Sequence, residues 1–370
     1  MHIHAQSAVV GNQIQNDICI KVENNLISSI TSGCSANADY QASGTVIPGF
    51  VDIHSHGGGG YYFSDPNLEN VKRAREVHRM HGTTSLVASL VTEPIGIIEE
   101  QVRRLAPLVD AGLFAGIHLE GPYLAEARCG AHDPSLLRDP AIDELGSILD
   151  GAADTISMVT LAPERDGGIE ATQYLSSRGV KVALGHSQAD GETTEKALAA
   201  GASLITHFSN GMPKPIDGEG TIASVALAHK HLPLEIILDG VHISSDTLDL
   251  VKDSGDNRII LITDAMSAAG AGDGAFTIGS LAVTVKDGIA RLDSNGSLAG
   301  STLTMDIAFK NLFQSGSTLI ECVHATSTLP ARTLGLNDVG SIEVGKRADL
   351  LDLLADLQVK IIEVSSQSRA

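Results

Sequence analysis

The sequence predicts an α/β fold, a (β/α)8 barrel of the TIM type beside a small β-sandwich built from both chain termini. Two observations carry the barrel: eight short apolar runs alternate with stretches of helical periodicity, and they do so over roughly the 250 residues that such a barrel occupies. A third carries the sandwich: short strand-like runs broken by Gly and Asn turns stand at both chain ends. The expected division is a sandwich of residues 1–45 plus 341–370 and a catalytic barrel of residues 46–340.

The N-terminal strands are Ala8-Val9-Val10, Ile18 to Val22 and Leu26 to Ile30, separated by Gly11-Asn12 and Glu23-Asn24-Asn25. From Val46 the texture changes. The expected barrel strands are Val46–Ile53, Thr84–Leu90, Leu113–Leu119, Ile156–Leu161, Val180–Leu184, Leu204–Thr206, Leu234–Leu238 and Ile259–Thr263. Few polar residues interrupt them, as expected of strands buried on both faces. Helix-compatible spacing lies between them at Leu68–His81, Ile95–Leu108, Glu192–Ala200 and Ser244–Val251. A doubly wound open sheet would also alternate this way, but no Gly-x-Gly-x-x-Gly follows the first strand. Beyond the eighth strand come a hairpin over Phe276–Ala290, helices at Thr302–Gln314 and Ile320–Leu329, and a tail from Gly340 that returns to short strands and rejoins the N-terminal sheet.

The 370 residues carry a net charge of −20, which argues against nucleic acid or an anionic membrane as a partner. No apolar run reaches the length of a membrane span, and Met1-His2-Ile3-His4 lacks the basic start and apolar core of a signal peptide. Cys19, Cys34, Cys129 and Cys322 show no pairing pattern. The expectation is a cytoplasmic protein with reduced thiols.

The chemistry is expected at the C-terminal ends of the barrel strands. Read in order, those ends carry His54 and His56, Glu120, His186, His207, His242 and Asp264. Residues i and i+2 of a strand share a face, so His54 and His56 converge. Imidazole and carboxylate together suit one or two divalent, borderline-soft cations; zinc is the expected ion, with iron, manganese or cobalt as alternatives. Asp264, across the barrel mouth, is the natural acid/base. His118, two residues before Glu120, reads as a barrel-core histidine. His2 and His4 repeat the His-x-His pattern at a chain end with no other ligand nearby and read as a strand's outer face.

Pro48-Gly49-Phe50-Val51-Asp52-Ile53-His54-Ser55-His56-Gly57 resembles the first-strand signature of the amidohydrolase superfamily. His118-Leu119-Glu120-Gly121-Pro122, Gly130-Ala131-His132-Asp133-Pro134, Asp239-Gly240-Val241-His242 and Thr263-Asp264-Ala265-Met266 narrow the resemblance to the N-acetylglucosamine-6-phosphate deacetylase family. It spans nearly the whole chain. The resemblance implies hydrolysis of N-acetylglucosamine 6-phosphate to glucosamine 6-phosphate and acetate. It implies Glu120, His186 and His207 as ligands of the main metal, His54 and His56 as ligands of a second, and Asp264 as catalytic acid. Ala131, His132, Asn210, Gly211, His242, Leu298, Ala299 and Gly300 match positions that touch the amino-sugar substrate. A homodimer is implied as well.

One stretch departs from the family. Where an arginine that binds the phosphate is expected, this chain has Lys214-Pro215-Ile216-Asp217-Gly218-Glu219, with Gly218 at the arginine's place. Lys214 is the expected substitute as a point charge; otherwise the substrate is another epimer or a sugar without phosphate. The competing enzymatic reading is a dipeptidase or cyclic amidase, many of which bridge two metals with a carboxylated lysine, and no lysine ends a barrel strand here. The competing non-enzymatic reading, a metal-stabilised scaffold, leaves Asp264 without a purpose.

Overall fold

The computed structural model of the chain describes residues 1–364 apart from 35, 36, 216, 217, 219 and 256. Asp217 and Glu219 of the departing stretch, and residues 365–370 of the expected sandwich, lie outside the described residues.

Eight parallel strands form one sheet in sequential order: Phe50–Ser55, Thr83–Leu90, Gly116–Glu120, Ile156–Leu161, Lys181–Leu184, Ala202–Ile205, Leu234–Ile237 and Ile259–Ile262. Their apolar side chains are buried almost without exception, which is why they read as continuous apolar runs. The eighth strand returns to the first and nearly closes the barrel. At that seam the Asp264 N–H donates to the His54 carbonyl at 2.8 Å, and the Thr263 hydroxyl donates to Asp52 Oδ2 at 2.6 Å. Asp52 is fully buried, and burial pushes its carboxyl up to about 6 against the hydrogen bonds from Thr263 and His54.

Seven strands drawn from both chain ends form a second sheet of mixed direction, including His2–Val10, Gln13–Glu23, Leu26–Ser32, Thr45–Pro48 and Leu350–Leu353. It has its own core, in which Ile3, Ile20, Ile27, Val46, Ile342 and Leu350 pack together. The tail therefore rejoins the N-terminal strands as expected, through Leu351 opposite Ile47 and Leu353 opposite Thr45. His2 and His4 do lie on the outer side of this sheet, His4 bonded to Asp17 and Gln41.

Three expectations need correction. The run Val46–Ile53 is two strands, one in each sheet, parted at Gly49. A Cβ at Gly49 would lie 2.2 Å from Thr84 Oγ1, so only glycine allows the chain to cross there. The hairpin after the barrel is a three-stranded antiparallel sheet, Gly274–Ile278, Leu281–Lys286 and Ile289–Leu292. Cys19 and Cys34, expected to be unpaired, are joined as a disulfide with Cα atoms 4.8 Å apart. The pairing of Gln13–Glu23 with Leu26–Ser32 brings them together, while Cys129 and Cys322 remain free thiols.

Candidate functional site

The predicted residues meet at the C-terminal mouth of the barrel. Glu120 ends the third strand and lies at the centre. Its Oε1 is 2.9 Å from His207 Nε2 and 3.1 Å from His186 Nε2. Its Oε2 is 3.2 Å from His56 Nε2 and 3.4 Å from His132 Nε2. Asp264 Oδ1 stands 3.2 Å from His56 Nε2 and 3.5 Å from His54 Nε2. All seven side chains are buried. His186, His207 and Asp264 turn off their strands at positive φ (48°, 25° and 45°), a conformation that costs a non-glycine residue about 1–3 kcal/mol and marks functional sites.

Hydrogen-bond partners decide which ring nitrogen carries the proton. His186 Nδ1 faces the Arg128 carbonyl at 2.8 Å and His207 Nδ1 the Asn210 carbonyl at 3.2 Å, so each Nδ1 is a donor. His54 Nδ1 faces the carboxylate of Glu235 at 3.0 Å and is a donor too. Their Nε2 lone pairs therefore all point inward. His186 and His207 Nε2 are only 2.9 Å apart, and His54 and His56 Nε2 3.2 Å. The lone pairs of His186 and His207, opposed at that range, repel unless a cation lies among them, and two carboxylates frame the same space. The donor set fits a divalent cation with nitrogen and oxygen ligands. His54, His56, Glu120 and Asp264 offer atoms all within 4.8 Å of one another, as do Glu120, His132 and His186, so Glu120 is common to both groups.

His132 is of the other kind. The Thr92 N–H donates to its Nδ1 at 3.3 Å, and the Thr92 hydroxyl lies 2.8 Å from the same atom. Its proton must then sit on Nε2, facing the site as a donor rather than a ligand. Burial pushes His132 down to about 4 despite its hydrogen bond to Glu120, so it is neutral near pH 7. Burial would raise Glu120, but His54 and a hydrogen bond from His132, with the His186 and His207 rings beside it, hold it well below the carboxylate range. Asp264 is likewise held low, against burial, by His54 and His56.

Above these residues opens a cavity of about 290 Å³. Of the substrate positions expected from the sequence, Ala131, His132, Asn210, Gly211, His242, Leu298 and Gly300 line it. Ala299 is not among the lining residues and packs with Met266 and Ala290. Lys214 is exposed and outside the lining. His242 lies beyond the seventh strand, oriented by Asp239 Oδ2 at 2.7 Å. Gly211 passes close beneath the site: a Cβ there would lie 2.9 Å from His186 Nδ1. His118 is a core residue, held between Ser89 and Thr160 hydroxyls at 3.0 and 2.8 Å.

Sequence reasoning missed Glu235, Asp52 and Thr92. Glu235 is a lone acid in the apolar seventh strand, and that anomaly was the available signal. Thr92 had none, since its role depends on where the loop after the third strand returns.

A parallel eight-stranded barrel with histidines and carboxylates converging at its C-terminal mouth defines an amidohydrolase-type centre. The chain belongs to the amidohydrolase family, which matches residues 45–365. Its relatives are more specific. An N-acetylglucosamine-6-phosphate deacetylase of Vibrio furnissii is 36% identical, covering 97% of this chain and 93% of its own. An N-acetylgalactosamine-6-phosphate deacetylase of Escherichia coli O157:H7 is also 36% identical, over 87% of each chain. The structure of the Mycobacterium smegmatis N-acetyl-D-glucosamine-6-phosphate deacetylase, as a mutant in complex with N-acetyl-D-glucosamine-6-phosphate, superposes with a TM-score of 0.93 at 40% identity, covering 97% of this chain and 96% of that one.

Proposed function

We propose that this chain hydrolyses the acetamide of N-acetylglucosamine 6-phosphate to glucosamine 6-phosphate and acetate, using zinc. The observation that carries the reading is the set of inward-facing imidazole lone pairs around Glu120 beneath an open cleft. Relatives named for this reaction support it.

Glu120, His186 and His207 would hold the main cation, and His54 and His56 a second. When bound, zinc polarises a carbonyl and lowers the pKa of water to about 7. Asp264, held anionic, accepts the proton of the attacking water and returns it to the leaving amine. The neutral Nε2–H of His132 donates to the oxygen on which charge develops. His242, Asn210 and Gly211 bind the sugar phosphate, with the loop of Leu298, Ala299 and Gly300 beside it. Gly218 bears no side chain for the phosphate, so backbone donors and Lys214 are the remaining candidates for that contact. A homodimer in the cytoplasm completes the reading; no helix among the described residues is long and apolar enough to cross a membrane.

The test is acetate release from N-acetylglucosamine 6-phosphate by chelator-stripped protein before and after zinc is returned. Release restored by zinc supports the reading. Zinc-loaded, folded protein that releases no acetate overturns it.

A further inference from the structure

We infer that Glu235 is a positioning residue for the metal centre, and the inference rests on the reading of that centre as a cation site. Glu235 is fully buried on the seventh strand, beneath the ligands rather than among them. One oxygen, Oε2, accepts two hydrogen bonds, from His54 Nδ1 at 3.0 Å and from the His207 backbone N–H at 3.2 Å. The Glu235 carbonyl takes a third from the Phe208 N–H at 2.8 Å. A single residue of one strand thus fixes a ring on the first strand and the backbone where the sixth strand turns.

The consequence for His54 is chemical. A carboxylate only accepts, so Nδ1 must carry the ring proton and Nε2 must present its lone pair. Without Glu235 the ring has no such partner at Nδ1, and neither its tautomer nor its rotation is set. The consequence for His207 is geometric. Its φ of 25° is unfavourable for a side chain, and the hydrogen bond to Glu235 holds the backbone there. The second carboxylate oxygen, Oε1, is buried without a hydrogen-bond partner among the described residues. An anion placed this way, with its charge not used up by protein donors, favours a cation among the imidazoles nearby. Partners of this kind typically change metal affinity by 10- to 100-fold.

The experiment measures zinc bound per chain against buffered free zinc for wild type, Glu235→Gln and Glu235→Leu, with near-UV circular dichroism of the metal-free proteins as a fold control. Gln keeps the volume and an acceptor but is a weaker partner than the carboxylate; Leu removes the acceptor. The expected order of affinity is wild type, then Gln, then Leu, with the Leu curve displaced by at least tenfold. A residue that merely fills the core would leave the zinc curves of folded variants unmoved. Superimposable curves for wild type and both variants overturn the inference; if Glu235→Leu does not fold, a Gln curve superimposed on wild type does so alone. Failure of zinc-loaded wild type to release acetate would remove the deacetylase reading and leave the zinc curves standing.

Discussion

Replacing His132 separates two roles that distance alone leaves together. Its Nε2 lies 3.4 Å from Glu120 Oε2, close enough to be counted with Glu120 and His186 as a ligand group. The hydrogen bond from Thr92 to Nδ1 instead makes Nε2 a donor. His132→Leu removes that donor with little change of volume. Loss of one donor to a developing oxyanion costs about 2.7–4 kcal/mol, or roughly 10²- to 10³-fold in kcat. Metal content should not change. Nor should His132 produce a limb in the pH profile between pH 5 and 9, because burial keeps it neutral down to about pH 4. The assay is steady-state acetate release together with zinc per chain by atomic emission. A variant that keeps kcat within about threefold, or that loses zinc in parallel with activity, refutes the tautomer argument.

Asp264→Asn should lower kcat by roughly 10²- to 10⁴-fold while the protein stays folded, since Asp264's seam contacts with His54 and Ser301 are made by its backbone; circular dichroism and kinetics check both halves. Gly211→Ala places a methyl 2.9 Å from His186 Nδ1 on a backbone at φ 58°, and the left-handed conformation alone costs about 1–2 kcal/mol; urea denaturation of the metal-free protein and zinc affinity should both show the loss. His78 is buried against the Gly57 carbonyl, and burial pushes it down to about 4 from 6.5. Its contribution to stability is therefore complete above pH 6.5 and declines as pH falls toward 4, because the unfolded chain takes up the proton first. At 1.36 kcal/mol per pH unit, by pH 5 this amounts to about 2 kcal/mol. Urea titrations at pH 7 and pH 5 should show that loss in wild type, and a shallower one in His78→Gln.

The barrel was legible because its strands are buried on both faces and so appear as uninterrupted apolar runs. The helices Ile142–Gly151, Gly168–Ser177 and Ile222–Ala228 were not. Two of them are rich in small or polar residues, and they hold their places by packing that periodicity does not display. The single run Val46–Ile53 concealed a change of sheet, because an apolar stretch looks the same in either. The strand-end histidines and acids were legible as a group, since chain order and barrel geometry together place them at one mouth. What the sequence could not supply was ring orientation. The difference between His132 and the other imidazoles depends on Thr92, Arg128 and Asn210, whose backbone groups reach the rings only through loop geometry. Glu235 was visible as an acid within Leu234-Glu235-Ile236-Ile237, but its partner His54 lies 181 residues away in sequence. The pairing of Cys19 with Cys34 likewise depends on a strand pairing that spacing alone does not fix.

The most direct test compares kcat/KM for acetate release by the zinc-loaded protein from N-acetylglucosamine 6-phosphate, N-acetylgalactosamine 6-phosphate and free N-acetylglucosamine. The account predicts that N-acetylglucosamine 6-phosphate is the preferred substrate and exceeds the free sugar by orders of magnitude, with the phosphate held despite Gly218. Equal or better turnover of the free sugar would contradict the proposed substrate, and no release from any of the three would contradict the proposed reaction.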